Sequence, residues 1–165
     1  MLIDEMKKVL ANTFMFYYKA HAAHWNVEGM LFASLHQFFG TLYEDLHDAV
    51  DPIAEHLRAL GVMAPVSLGS LLELSEIEED TAVYEPREMI ARLVAANDLV
   101  RASLHRARTD AETASEFGVV NFLEDRLDQH DKMAWILRSH LRRSEEHTSE
   151  LQSHSDLVCR LLLEK

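Results

Sequence analysis

Cysteine is nearly absent. The one residue of that type, Cys159, has no second thiol in the chain, so no internal disulfide staples the fold. Glycine and proline are scarce as well, at five and three residues, and no segment alternates apolar and polar positions for long. These shortages exclude an architecture of many strands and turns and favour an all-α fold. No apolar run is long enough to span a bilayer. The opening MLIDEMKKVL lacks the basic-then-apolar pattern of a secretory leader, and the expectation is a soluble, cytoplasmic protein. Positive charge is also short: 16 Lys and Arg against 28 Asp and Glu give a net charge of −12. A surface of that sign repels phosphate backbones, which makes DNA binding unlikely by this criterion. The sequence does carry a globular composition, 48% hydrophobic, in a chain suited to one domain with a sizeable core. It also carries ten histidines beside its acids, residue types that together suit metal ions.

The apolar spacing predicts four long helices and a short one. The first runs from about Asp4 to Glu28, with Leu10, Phe14, Tyr17 and Tyr18, and stops at Gly29. The second starts at Ser34, where Ser34 and Gln37 have the spacing of a capping box. It uses Leu35, Phe38, Phe39, Leu42, Leu46, Ile53, Leu57 and Leu60, ends at Gly61, and carries Pro52, which should kink or loosen one turn. Residues 62–85 form a connection in which Leu68 to Leu74 can make a short helix. The third long helix opens on Pro86 and the fourth covers about Ser115 to Leu141. Four long helices with a long connection after the second predict a ferritin-like bundle.

On the second helix, His36, Gly40, Glu44, His47, Asp51 and Glu55 share an arc away from the apolar set, at ~100° per residue. Asp51 and Glu55 stand one turn apart and can hold one metal together. His24 and His36 flank the short loop at Gly29 and can approach each other. His36 and Asp51 are 15 residues apart, or ~22 Å along a helix, far beyond metal–ligand reach. If this helix packs antiparallel to its copy in a second subunit, His36 of one meets Asp51 of the other and two symmetric sites result. Mixed imidazole and carboxylate ligands suit iron or zinc better than calcium. Glu44 and His47 have the E-x-x-H spacing of di-iron bundles, which needs a second copy on another helix. Leu127, three before His130, denies it.

The run His24-Trp25-Asn26, then His36, then Asp51-Pro-Ile-Ala-Glu55 resembles the signature of the Dps miniferritins, and Asp131-Lys132-Met-Ala-Trp135 resembles that family's last helix. The resemblance implies a hollow dodecameric shell of identical subunits. It implies iron as substrate and cargo, with iron(II) oxidised, preferably by peroxide, at ferroxidase sites on the twofold interfaces and stored as ferric mineral. It makes His24 and His36 catalytic metal ligands from one subunit, with Asp51 and Glu55 from its mate. Trp25 resembles the family tryptophan that intercepts radicals near the site; packing is the alternative role. Glu124 and Asp128, one turn apart, match acids that line a threefold pore in the family, or else simply form a solvated face. Many members carry an aspartate four residues after the second histidine, where this chain has Gly40, so the resemblance implies one firm metal position and a weaker second. The alternative function is a DNA-binding, DNA-compacting stress protein without significant ferroxidase activity; relatives of that kind use lysine-rich tails, and here only Lys7 and Lys8 lie near the N-terminus.

The last stretch, residues 143–165, reads RSEEHTSELQSHSDLVCRLLLEK and resembles the conceptual translation of a sequencing adapter. The chain therefore divides into a ferritin-like domain, 1–142, and a non-native tail, 143–165, which removes His147, His154 and Cys159 from functional consideration. The tail's three basic and five acidic residues account for two of the twelve negative charges, leaving −10 on the domain. A chain ending at Arg142 is expected to assemble like the full chain and to unfold at the same temperature. A smaller particle on size-exclusion chromatography, or a lower unfolding midpoint, would show that the tail belongs to the protein.

Overall fold

The computed structural model describes residues 1–163, with side chains as far as residue 142. The described residues form five helices and no strand: α1 Leu2–Asn26, α2 Phe32–Ala59, α3 Leu68–Leu74, α4 Pro86–Thr113 and α5 Phe117–Leu163. α1 packs against α2, α3 and α4, and α4 packs against α5. Ring contacts of Phe38 with His140 and of His56 with Phe122 join α2 to α5. This is the expected all-α, ferritin-like four-helix bundle with a short extra helix in the second connection. No described helix is long and apolar enough to cross a membrane.

The core is the set the apolar spacing picked out. Leu35, Phe39, Leu42, Leu46, Ile53 and Leu57 of α2 face Phe16 of α1, Leu93, Val100 and Leu104 of α4, and Leu123 and Leu137 of α5; all are buried. Each large side chain so removed from water stabilises the fold by about 1.5–3 kcal/mol relative to exposure. α3 spans the expected residues, and its first turn is held by the Ser67 hydroxyl accepting from the Ser70 amide at 3.1 Å. Asn12 ties the long connection to α1: its amide oxygen accepts from the Glu76 amide at 2.7 Å and its amide nitrogen donates to the Glu76 carboxylate at 3.1 Å.

The helix ends depart from the sequence reading in three places. Ser34 is not a cap. Gly29, at φ +92°, turns the chain so sharply that the Phe32 amide already bonds to the Gly29 carbonyl, and α2 begins two residues before Ser34. The Ser34 hydroxyl donates back to the Leu31 carbonyl instead. Pro52 lies inside α2, which is continuous through it, and the one bond that proline withholds is to the carbonyl of Asp48, an exposed residue. Ser115 adopts φ +60° and belongs to the turn, so α5 starts at Phe117. α5 also continues past Leu141 to Leu163, a stretch with no glycine or proline to stop it. The side chains of the tail, His147, His154 and Cys159 among them, lie outside the described residues.

One polar cluster sits inside the bundle. His130 is buried, donates Nδ1–H to the Asn97 amide oxygen at 2.7 Å, and accepts a long contact from Arg126 at its Nε2 (3.4 Å). Asn97 returns a bond from its amide nitrogen to the His130 carbonyl at 3.0 Å, and Arg126 reaches Asp45 of α2 at 3.3 Å. Burial, then the charges of Arg126 and Arg101, push the His130 pKa from its usual 6.5 down to about 3. The folded state therefore keeps His130 neutral while an unfolded chain takes up a proton below 6.5. Stability from this residue is intact above pH 6.5 and falls by ~1.4 kcal/mol per unit as pH drops from there toward 3. Urea unfolding at pH 6.5 and pH 5 should show a loss of about 2 kcal/mol from this source. A His130→Gln variant, whatever its absolute stability, should show a flatter dependence over that window; an unchanged slope would refute the assignment.

Candidate metal centre

α1 and α2 run antiparallel, and their facing positions form a seam. From α1 come Tyr17, His21 and His24, spaced four and three apart; from α2 come His36, Gly40, Tyr43 and His47. The seam is layered. Tyr17 meets His47 (ring centroids 5.2 Å apart), His21 stacks on Tyr43 (3.9 Å, planes at 15°), and His24 stacks on His36 (3.7 Å, 22°). The structure thus brings the two predicted histidines together.

Their hydrogen bonds decide what they can do. The Nδ1 of His24 lies 2.7 Å from the His36 carbonyl oxygen, and the Nδ1 of His36 lies 2.9 Å from the His24 carbonyl oxygen. A carbonyl only accepts, so each Nδ1 must carry the proton. Each neutral ring then presents the lone pair of Nε2, the form in which imidazole binds a metal, with orientation and tautomer fixed by backbone. Phe32 covers the outer side of His36 (5.0 Å, 26°), so His36 is held between two rings.

Gly40 lies one turn beyond His36 and directly against the ring of His24. A Cβ built there would sit 3.4 Å from two His24 ring atoms, the near limit of ordinary contact. Glycine thus brings no ligand of its own to this position, and a methyl group there would rest in ordinary contact with the His24 ring.

Asp51 and Glu55 stand exposed one turn apart near the other end of α2, on the same helix as His36. Among the described residues of one protomer, no three histidine, cysteine, aspartate or glutamate side chains gather into a metal-holding group. The protomer presents two separated half-sets, imidazoles at one end of α2 and carboxylates toward the other. Trp25 is 57% exposed beside them and packs on His21 at 4.1 Å. The acids Glu124 and Asp128 are exposed on α5, and each has a basic partner in its own protomer, Arg108 at 3.0 Å and Lys132 at 2.7 Å. Glu44 and His47 are exposed on α2. At the N-terminus, Lys8 is engaged by Glu5 at 2.8 Å.

Sequence reasoning missed the seam below the histidine pair. His21 is surrounded by Tyr17, Trp25 and Tyr43, and its pKa is lowered by burial and then by His24 and His47. The spacing of Tyr17, His21 and His24 on one face was a usable signal, but nothing in one helix says that the facing helix offers Tyr43 and His47 at matching heights. The Asn97–His130–Arg126–Asp45 cluster was missed for the same reason.

Comparison with known proteins bears on this geometry. Residues 3–146 match the ferritin-like domain family. The chain is 30% identical to a protein of Brevibacillus brevis named DNA protection during starvation protein, over 82% of this chain and 91% of that one. It is 31% identical to an uncharacterised low temperature-induced protein of Nostoc, over 84% of this chain and 78% of that one. Among solved structures, the Dps protein of Vibrio cholerae, described as a member of a broad superfamily of ferritin-like diiron-carboxylate proteins, superposes with a TM-score of 0.82 at 26% identity. That match covers 85% of this chain and 88% of that one.

A carboxylate restored at Gly40 is expected to add a ligand beside the histidine pair. Zinc calorimetry on Gly40→Asp should show the weaker of two positions tightening by about tenfold or more, equivalent to ~1.4 kcal/mol. Gly40→Ala, with the same Cβ and no carboxylate, should bind as the unmodified protein does. Two equally tight positions already present in the unmodified protein would defeat this reading.

Proposed function

The chain belongs to the ferritin-like family, as a Dps-type miniferritin, and from that footing we propose that it oxidises iron(II) at sites completed between two subunits and stores the product as ferric mineral inside a closed shell in the cytoplasm. The observation that carries this reading is the reciprocal His24–His36 pair. It engages both Nδ1 atoms with backbone and so leaves two imidazole Nε2 lone pairs for a metal ion, while supplying no carboxylate of its own. A twofold partner with α2 antiparallel delivers Asp51 and Glu55 to that pair and receives the same in return. In this reading His24, His36, Asp51 and Glu55 are the ligands and catalytic residues, iron is substrate and cargo, and peroxide or oxygen accepts the electrons. Trp25, exposed beside His21, is placed to intercept radicals, and Glu124 and Asp128 mark the pore that admits iron.

The bundle interior supports the same choice. Ordinary di-iron bundles converge carboxylates on their centre, whereas here a buried guanidinium, Arg126, reaches inward between Asp45 and His130. A fixed cation in low-dielectric surroundings repels a metal ion, which leaves the subunit interface as the place for iron.

A second reading, direct binding and compaction of DNA, is favoured by the name of the Brevibacillus relative, and the expectation that DNA is no partner draws no support from such names. The charge of −10 on residues 1–142 argues that this chain protects DNA by consuming iron and peroxide rather than by coating it. Gel-shift titration across salt concentrations separates the two, since direct binding through phosphates weakens steeply with salt.

Complementation tests the shared site. His24→Ala and Asp51→Ala should each fold yet abolish rapid iron oxidation after anaerobic loading. Co-assembled shells of the two variants should regain part of the rate, because some interfaces then hold one intact site. A wild-type rate in Asp51→Ala, or no recovery in the mixed shells, would overturn the inter-subunit assignment.

A further inference from the structure

The seam beneath the histidine pair offers a chemistry that the ligands alone do not. The Tyr17 hydroxyl lies 3.3 Å from His21 Nδ1, a phenol hydrogen-bonded to an imidazole. His21 is itself sandwiched between Tyr43 at 3.9 Å and Trp25 at 4.1 Å, and its ring centre is 6.2 Å from that of His24. Tyr17 is half-buried beside Phe14 (5.7 Å), Tyr43 (6.4 Å) and His47 (5.2 Å). Tyr18 and Trp25, by contrast, are more than half exposed. A continuous file of rings therefore links Tyr17 to the metal-facing histidines.

A phenol gives up an electron readily only if its proton leaves with it, and an imidazole at hydrogen-bond distance is the acceptor such a step needs. The need for an electron follows from Gly40. Peroxide takes two electrons to become water, and a site that holds one iron(II) firmly supplies one. We propose that Tyr17 and His21 form a proton-coupled electron donor that supplies the second electron to the iron site; the proposal rests on the ferroxidase reading above.

The step balances as follows. Iron(II) becomes iron(III), and the Tyr17 phenol loses one electron to the site and its hydroxyl proton to His21 Nδ1, with the other His21 proton on Nε2. The peroxide O–O bond breaks and, with two protons from solvent, leaves as two waters. A second iron(II) arriving later reduces the phenoxyl, and His21 returns the proton. The sum is two iron(II), one peroxide and two protons giving two iron(III) and two waters.

The test uses the assembled protein loaded anaerobically with one iron(II) per half-site, mixed with hydrogen peroxide, and followed by stopped-flow absorption and freeze-quenched electron paramagnetic resonance. A tyrosyl signal should appear with the oxidation of iron. Tyr17→Phe should reduce its yield by about tenfold or more while anaerobic iron(II) binding is retained, and His21→Gln should slow its formation on the scale that removal of a proton acceptor produces. Trp25→Phe should keep the signal. An equal tyrosyl yield in Tyr17→Phe, or a tryptophanyl signal from Trp25 with no tyrosyl signal beside it, would overturn the proposal. Full iron oxidation without any protein radical would overturn it alone, whereas no iron oxidation at all would remove the ferroxidase reading as well.

Discussion

Two hydrogen bonds from imidazole to backbone hold the working end of this subunit. His24 closes the last turn of α1 and His36 stands in the second turn of α2, and each ring donates to the other's carbonyl. The exchange clasps the two helices across the reversal at Gly29 and sets the facing register of the whole seam. It also spends the Nδ1 proton of both rings on protein, which leaves both Nε2 atoms for a ligand. One arrangement thus orients both rings, and neither can turn without breaking its own bond to the facing backbone.

The register set at that end carries down the α1–α2 face. With His24 over Gly40, His21 falls on Tyr43 and Tyr17 on His47. Gly40 lies against the His24 ring, close enough that a Cβ there would be in contact with it at 3.4 Å. The polar and aromatic seam selects this register, much as buried polar groups specify partners elsewhere.

A second selection operates at the middle of the bundle, where Asn97 of α4 brackets His130 of α5 and Arg126 spans to Asp45 of α2. Asn97, His130 and Arg126 are nearly sealed from water, so each depends on its neighbours for satisfaction, while Asp45 joins them from a half-exposed position. The cluster fixes α4 and α5 relative to α2 and fills the interior with hydrogen-bonded polar groups and a positive charge. For the function proposed above the consequence is spatial: a fixed cation inside the bundle leaves the subunit surface as the place for a metal ion.

The periodic apolar positions, the Pro86 start, the Leu68–Leu74 helix and the reversal at Gly29 were all legible in the sequence, because each depends on residues close together along one helix or turn. The candidate ligands His24, His36, Asp51 and Glu55 stood out by type, by spacing and by family resemblance, and of these the structure brings His24 and His36 together. The boundaries at Ser34 and Ser115 were not legible, for they follow from how sharply Gly29 and Ser115 turn the chain rather than from cap chemistry. The tautomers of the histidine pair, the approach of Gly40 to the His24 ring, the Tyr17–His21 bond and the neutral state of His130 belonged to the tertiary structure alone. Each arises where two helices meet at a particular height and angle, and a one-dimensional pattern carries the period of a single helix but not the offset between two.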